Sequence, residues 1–141
     1  MYTRPLKLSI VVVHKTIFSG TIHEVVLSTQ TGELGIAKNH IGLYTALEIG
    51  VIRYKQDKND SYWKALVVLG GFAEVKDNII SVLANGIEEV TMDSEKEDLI
   101  ELENAKAQLE DGSVDTPKKL FLATQRLKRA EARVQVKTFL K

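Results

Sequence analysis

A chain of 141 residues with 44% hydrophobic and 27% charged side chains falls in the ordinary range of folded proteins, long enough for one domain with an appendage. The absence of cysteine excludes disulfides, thiolate metal sites and cysteine nucleophiles. The longest wholly apolar runs, at residues 10–13 and 65–69, fall far short of the roughly 20 residues a helical membrane span requires.

The first ninety residues read as short strands between turn signals. Leu6, Leu8, Ile10 and Val12 alternate as a strand does, so neither a signal nor a transit peptide is expected at the start. Residues 21–29, 49–54, 62–69, 72–75 and 79–83 follow as further strands. Turns are expected at Thr31-Gly32, along the polar run at 56–61, and at Asp77-Asn78, whose side chains tolerate positive φ. Consecutive strands favour antiparallel pairing, which predicts a β-sandwich or flattened barrel.

After Met92 the period lengthens from two to 3.6. Ser94, with Glu97 three residues on, predicts a capping box. Leu99, Leu102, Ala105 and Leu109 form the apolar stripe of a first helix, and Gly112 supplies a left-handed stop. Thr116-Pro117 starts a second helix with threonine as cap and proline at the first helical position. Its stripe is Leu120, Ala123, Leu127, Ala130 and Val134, spaced for a two-helix seam. Three alanines make that seam thin, at about 0.8 kcal/mol per buried methylene, so the hairpin is expected to fold back or open out.

The zero formal charge is a sum of unlike parts. Residues 1–92 carry nine acids and nine bases, residues 93–115 nine acids against Lys96 and Lys106, and residues 116–141 eight bases against Glu131. Oppositely charged neighbours predict an antiparallel helix pair, and both sets suit the helix macrodipoles. Arg126, Arg129, Arg133 and Lys137 fall on one stripe with Leu122, beside the seam. Such a stripe can grip carboxylates or phosphates; pairing with the acidic first helix is the equal alternative.

Catalytic and ligand motifs are weak. His14, His23 and His40 share no metal-ligand spacing and have no acid set beside them as in a triad. Gly70-Gly71 follows an apolar strand but lacks the lysine and Ser/Thr of a phosphate loop. Gly32-Glu33-Leu34-Gly35 lacks the helical surroundings of a nucleic-acid clamp and reads as a hairpin turn.

Three stretches in order, GELGI at 32–36 through Asn39-His40, TALEIG at 45–50, and GGFAEV at 70–75 with Val82-Leu83-Ala84, resemble the ε subunits of F-type ATP synthases. The likeness covers nearly the whole chain, since a helical hairpin follows the sandwich in that family too. Lys38-Asn39-His40 and the run at 126–133 are most similar to plastid and cyanobacterial members.

The resemblance implies an α+β chain, with residues 1–91 an antiparallel β-sandwich that binds the γ subunit and the c-ring, and residues 92–141 a regulatory helical hairpin. It implies a non-catalytic central-stalk subunit that couples ring rotation to γ and to the catalytic head, and restrains ATP hydrolysis. Glu33 matches a position facing the c-ring, and His40 one packed against γ. Arg126, Arg129 and Arg133 would meet acidic loops of the α and β subunits in the head when the hairpin extends. The implied location is the stromal side of the thylakoid membrane in a chloroplast, or the cytoplasmic side in a cyanobacterium.

The family often has proline where His14, Ser28 and Gly42 stand, which touches loops and strand ends rather than the fold. Some bacterial members bind ATP between their helices through an Ile/Leu-Asp, two residues, Arg-Ala motif. Asp93, Arg129 and Arg133 match it, but Met92, Lys96, Glu97 and Ile87 differ. Glu97 would bring negative charge near a phosphate, so no nucleotide or other cofactor is expected. The alternative is a free-standing module that uses the basic helix for acidic proteins or nucleic acid; zero net charge and few nearby aromatics weaken the nucleic-acid version.

Overall fold

The computed structural model describes residues 4–140; the ends of the two expected units, residues 1–3 and Lys141, lie outside them. Eight strands precede two helices: β1 (Lys7–Val12), β2 (Lys15–Thr21), β3 (Glu24–Thr29), β4 (Gly32–Ala37), β5 (Leu43–Lys55), β6 (Lys64–Lys76), β7 (Ile79–Ala84), β8 (Ile87–Glu88), α1 (Glu95–Glu110) and α2 (Pro117–Val136). The strands run in the order β2-β1-β7-β6-β5-β3-β4, with β8 on β6. All neighbours are antiparallel except β1 and β7, which pair in parallel. Consecutive pairing is therefore broken where β1 closes against β7, where β5 skips β4 to pair with β3, and where β8 returns to β6.

The two 13-residue strands serve both layers of the sandwich. β6 pairs with β8 at Val67 and Val68, and with β7 from Gly71 onward. The change of partner falls at Gly70 and Gly71, both with positive φ. A Cβ on Gly71 would lie 2.2 Å from the carbonyl oxygen of Leu83, so only glycine lets the strands approach there. The expected strands at 62–69 and 72–75 are thus one strand bent at its glycines. The core between the layers holds Leu8, Ile10, Val25, Leu27, Ile36, Ile52, Val68, Val75, Ile80 and Val82, all but fully buried. Leu6, Leu8 and Ile10 are the inward set that the alternation predicts.

Gln30 and Thr31 make the turn between β3 and β4, whereas Gly32 to Gly35 lie within β4. The expected turn at Asp77-Asn78 is present, both residues in the left-handed region.

The hairpin lies folded on the sandwich. Ala132 and Val136 of α2, with Phe139 and Leu140 beyond it, pack on Val51, Ala65, Val67 and Val90. The stretch of β6 at 65–69 is consequently covered on both faces, which is why it reads as an unbroken apolar run. Between the helices the contact is thin as expected: Ala105, Ala123 and Ala130 are buried, but Leu99 and Leu120 stay half exposed. Fully burying valine is worth about 1.5–3 kcal/mol, so Val136 on the sandwich contributes more than any seam alanine.

The helix ends divide. Thr116 Oγ1 accepts from the Lys119 amide at 3.1 Å with Pro117 at the first position, and Gly112 adopts φ +78° just past α1. The capping box does not form: a 3₁₀ turn, Met92–Ser94, runs straight into α1, so Ser94 lacks the extended backbone of a cap. Its hydroxyl instead donates to Asp98 Oδ2 at 2.7 Å.

Candidate functional site

The basic face of α2 lies over α1 and β8, and the structure brings its three arginines into one ladder of carboxylates. Their spacing of three and four residues aligns them along one side of the helix. Arg126 holds Glu101 with Nε and Nη2, at 2.5 and 3.1 Å, and donates from Nη1 to Gln108 at 3.0 Å. Arg129 forks onto Glu88 at 2.5 and 3.1 Å. Arg133 bridges two acids, reaching Glu88 Oε2 at 2.6 Å and Asp98 Oδ1 at 2.8 Å. Lys137 completes the ladder on Asp98 Oδ2 at 2.6 Å, and Lys128 reaches Glu48 on β5 at 2.9 Å.

The ladder is graded in burial. Asp98 and Lys137 are each 7% exposed, whereas Arg126 and Glu101 are 40% and 44% exposed. Burial alone would raise the Asp98 pKa, but hydrogen bonds from Lys137, Arg133 and Ser94 overcome it and hold the group at about 2. Burial also opposes ionisation of Glu88, and its two arginines outweigh it, so that carboxyl too lies below its ordinary value. Beside the ladder a cleft of about 640 Å³ opens between α2 and the sandwich, lined by Ile49, Leu69, Leu122 and the three arginines.

Sequence reasoning identified the bases and left their partners as one of two alternatives. In the folded-back state they meet carboxylates of this same chain, of which Asp98 and Glu101 belong to the acidic first helix. Glu88 was missed, because a two-residue strand leaves no periodicity.

Glu33 and His40 stand apart from the ladder and near opposite ends of β4. Glu33 is well exposed and accepts from Arg53 Nη2 at 3.3 Å. His40 Nδ1 lies 2.7 Å from the Ile41 carbonyl oxygen, which it meets as donor when that nitrogen is protonated. Its loop is fastened by two asparagines in left-handed conformation: the Asn39 amide donates to Asn78 Oδ1 at 2.6 Å, and Asn78 Nδ2 donates to Asn39 Oδ1 at 3.1 Å. Next to this loop an apolar strip lies open to solvent, missed at the sequence level. Tyr44 and Phe72 stack with ring centroids 5.7 Å apart, and Leu83 pairs with Phe72 across β6 and β7. Such outward alternation on a strand looks the same in sequence as a face covered by its own chain.

Among the described residues no three His, Asp or Glu side chains gather to hold a metal ion. What the site offers is charge pairing along a helix, and an apolar face on the sandwich.

Comparison with known proteins gives this arrangement its family. Residues 5–90 match the family described as ATP synthase, Delta/Epsilon chain, beta-sandwich domain. The chloroplastic ATP synthase epsilon chain of Gracilaria tenuistipitata var. liui is 40% identical over 135 residues, covering 96% of this chain and 97% of that one. The epsilon chain of the cyanobacterium Thermosynechococcus vestitus is 40% identical over 124 residues, 86% of each. Among solved structures, a chain of the Euglena gracilis mitochondrial ATP synthase, resolved with OSCP, F1 and c-ring, superimposes with a TM-score of 0.76 at 16% identity, covering 95% of this chain and 81% of that one. The sandwich and hairpin are thus a known fold, and at 40% identity over almost its full length the chain belongs to the ATP synthase ε chains, non-catalytic subunits of that enzyme.

Proposed function

We propose that this chain is the central-stalk ε subunit of a proton-translocating F-type ATP synthase, with residues 1–91 joining the γ subunit to the c-ring and residues 92–141 restraining ATP hydrolysis. Glu33 faces the ring and His40 lies against γ, beside the open strip of Tyr44, Phe72 and Leu83. When the hairpin extends, Arg126, Arg129 and Arg133 meet acidic loops of the α and β subunits in the head.

The observation that carries the regulatory half is that these arginines are already bound to carboxylates over an alanine seam, in pairs graded from the open Arg126–Glu101 to the mostly buried Arg133–Asp98. The exposed pairs contribute roughly 0–1 kcal/mol each, so another acidic surface can replace those at small cost in free energy. That is the balance a two-state element requires. The chloroplast and cyanobacterial relatives support a place on the thylakoid, facing the stroma or the cyanobacterial cytoplasm.

Co-purification tests the assignment. The full chain is expected to travel with γ, and retention on DNA with steep salt dependence instead would favour the free-standing module.

A further inference from the structure

Arg53 touches three parts of the molecule at once. It lies on β5 beside the outward Val51, opposite Ala65 of β6 and Val26 of β3. Its guanidinium carbon sits 4.4 Å from the Trp63 ring centroid and 4.8 Å from that of Phe139, just past the end of α2. Its Nη2 donates to Glu33 at 3.3 Å. The side chain is only 19% exposed, so the cation is held against two rings and bonded to a carboxylate.

We propose that Arg53 is a joint that couples Glu33 on β4 to the docking of the hairpin's C-terminal end. A guanidinium is planar and can stack on rings while its edge donates hydrogen bonds, so one side chain serves both contacts. The rings hold it in place for Glu33, and Glu33 fixes the plane presented to Phe139. Phe139 and Leu140 belong to the apolar cluster that seats α2 on the sandwich. Drawing the carboxylate away from Arg53 therefore loosens the end of α2, and releasing α2 frees the carboxylate; the coupling is reciprocal. The consequence for assembly rests on the proposal that Glu33 faces the c-ring: a ring contact that takes Glu33 would favour the extended hairpin.

The joint is tested on the full chain by hydrogen exchange at amides 132–140, with fluorescence of Trp63, the single tryptophan, as a second reading. Each cation–ring contact adds to the docking of the hairpin's end, so Arg53→Met and Phe139→Ala are each expected to speed exchange about tenfold. Glu33→Ala, distant in sequence, is expected to speed it about two- to fivefold, as for an exposed ion pair. Repeated in the Phe139→Ala background, Glu33→Ala is expected to add nothing, because coupled residues are not additive. If Arg53→Met does not fold, Glu33→Ala and Phe139→Ala with their double variant suffice. Exchange unchanged by Glu33→Ala, or changed equally in both backgrounds, overturns the joint. Faster exchange in Glu33→Ala together with unaltered ring binding supports the joint and refutes the ring-facing role of Glu33.

Discussion

Lys137 Nζ lies 2.6 Å from Asp98 Oδ2, and this pair, joining the end of α2 to the start of α1, is the most buried ion pair among the described residues. Removing one partner of a buried pair commonly costs about 3–5 kcal/mol, because the remaining charge is stranded. Here the chain has an exit, since lifting α2 returns Lys137 to water. Asp98→Asn is therefore expected to undock the hairpin and leave the sandwich folded. Hydrogen exchange should lose protection in α2 while the amides of β1, β6 and β7 keep theirs.

Acid should reproduce that effect. Asp98 has its pKa lowered from 3.8 to about 2 in the folded chain, so its contribution is fully present above the unfolded value and is lost as pH falls through the folded one. The difference amounts to about 2 kcal/mol. Docking, followed by exchange or by Trp63 emission, should hold down to about pH 4 and fade between about 4 and 2. The Asp98→Asn chain should lack this transition.

A chain ending at residue 91 is expected to fold and to bind γ. It retains the whole core between the layers, from Leu8 to Val82, and loses only the cover over Val51, Ala65, Val67 and Val90. That uncovered patch should make the fragment self-associate more readily than the full chain. Circular dichroism with γ pull-down checks this; a folded fragment that fails to join γ would show that the hairpin takes part in assembly.

The sequence carried the fold as far as periodicity reaches. Leu8 and Ile10 point inward as their alternation predicts, and Thr116 caps α2 as its place before Pro117 predicts. β2 and β4 escaped because Lys15–Thr21 and Gly32–Ala37 bury few residues, leaving no apolar contrast to read. The parallel pairing of β1 with β7 depends on contacts distant along the chain. Ser94 failed as a cap because the 3₁₀ turn at Met92–Ser94 runs straight into α1, and its hydroxyl goes to Asp98 instead. The arginine stripe was visible in spacing, but its bond to Glu88 was not, since β8 exists only through two pairings with β6.

His40→Ala is expected to weaken binding to γ without unfolding the chain. Asn39 and Asn78 fasten the loop to the turn after β6, whereas the imidazole meets only the carbonyl oxygen of its neighbour Ile41, so the loop's shape should survive the change. Titration calorimetry checks the affinity. A change within about twofold, under about 0.5 kcal/mol, would remove His40 from the interface.

Two sets of substitutions should move ATP hydrolysis in opposite directions, and their comparison separates docking from inhibition. Replacing Arg126, Arg129 and Arg133 with alanine preserves helix propensity while emptying the ladder, so the hairpin undocks yet has lost the forks that would grip the head. Replacing Glu88 and Glu101 with glutamine also weakens the folded-back state, since these acids hold all three arginines, but it leaves the basic face intact and free. If the face inhibits, the arginine variant should raise hydrolysis by the assembled enzyme and the glutamine variant should lower it. A buried interfacial charge pair commonly costs about 2–5 kcal/mol when truncated, and a state favoured by about 2–3 kcal/mol would be largely lost in the arginine variant. The glutamine variant should shift the balance by less, because most of the pairs it weakens are partly exposed. Hydrolysis unchanged in both, with binding of each variant to γ verified, would mean that the arginines serve only to fasten the hairpin to its own sandwich. A rise in both would mean that the folded-back hairpin, rather than the extended one, is the inhibitory form.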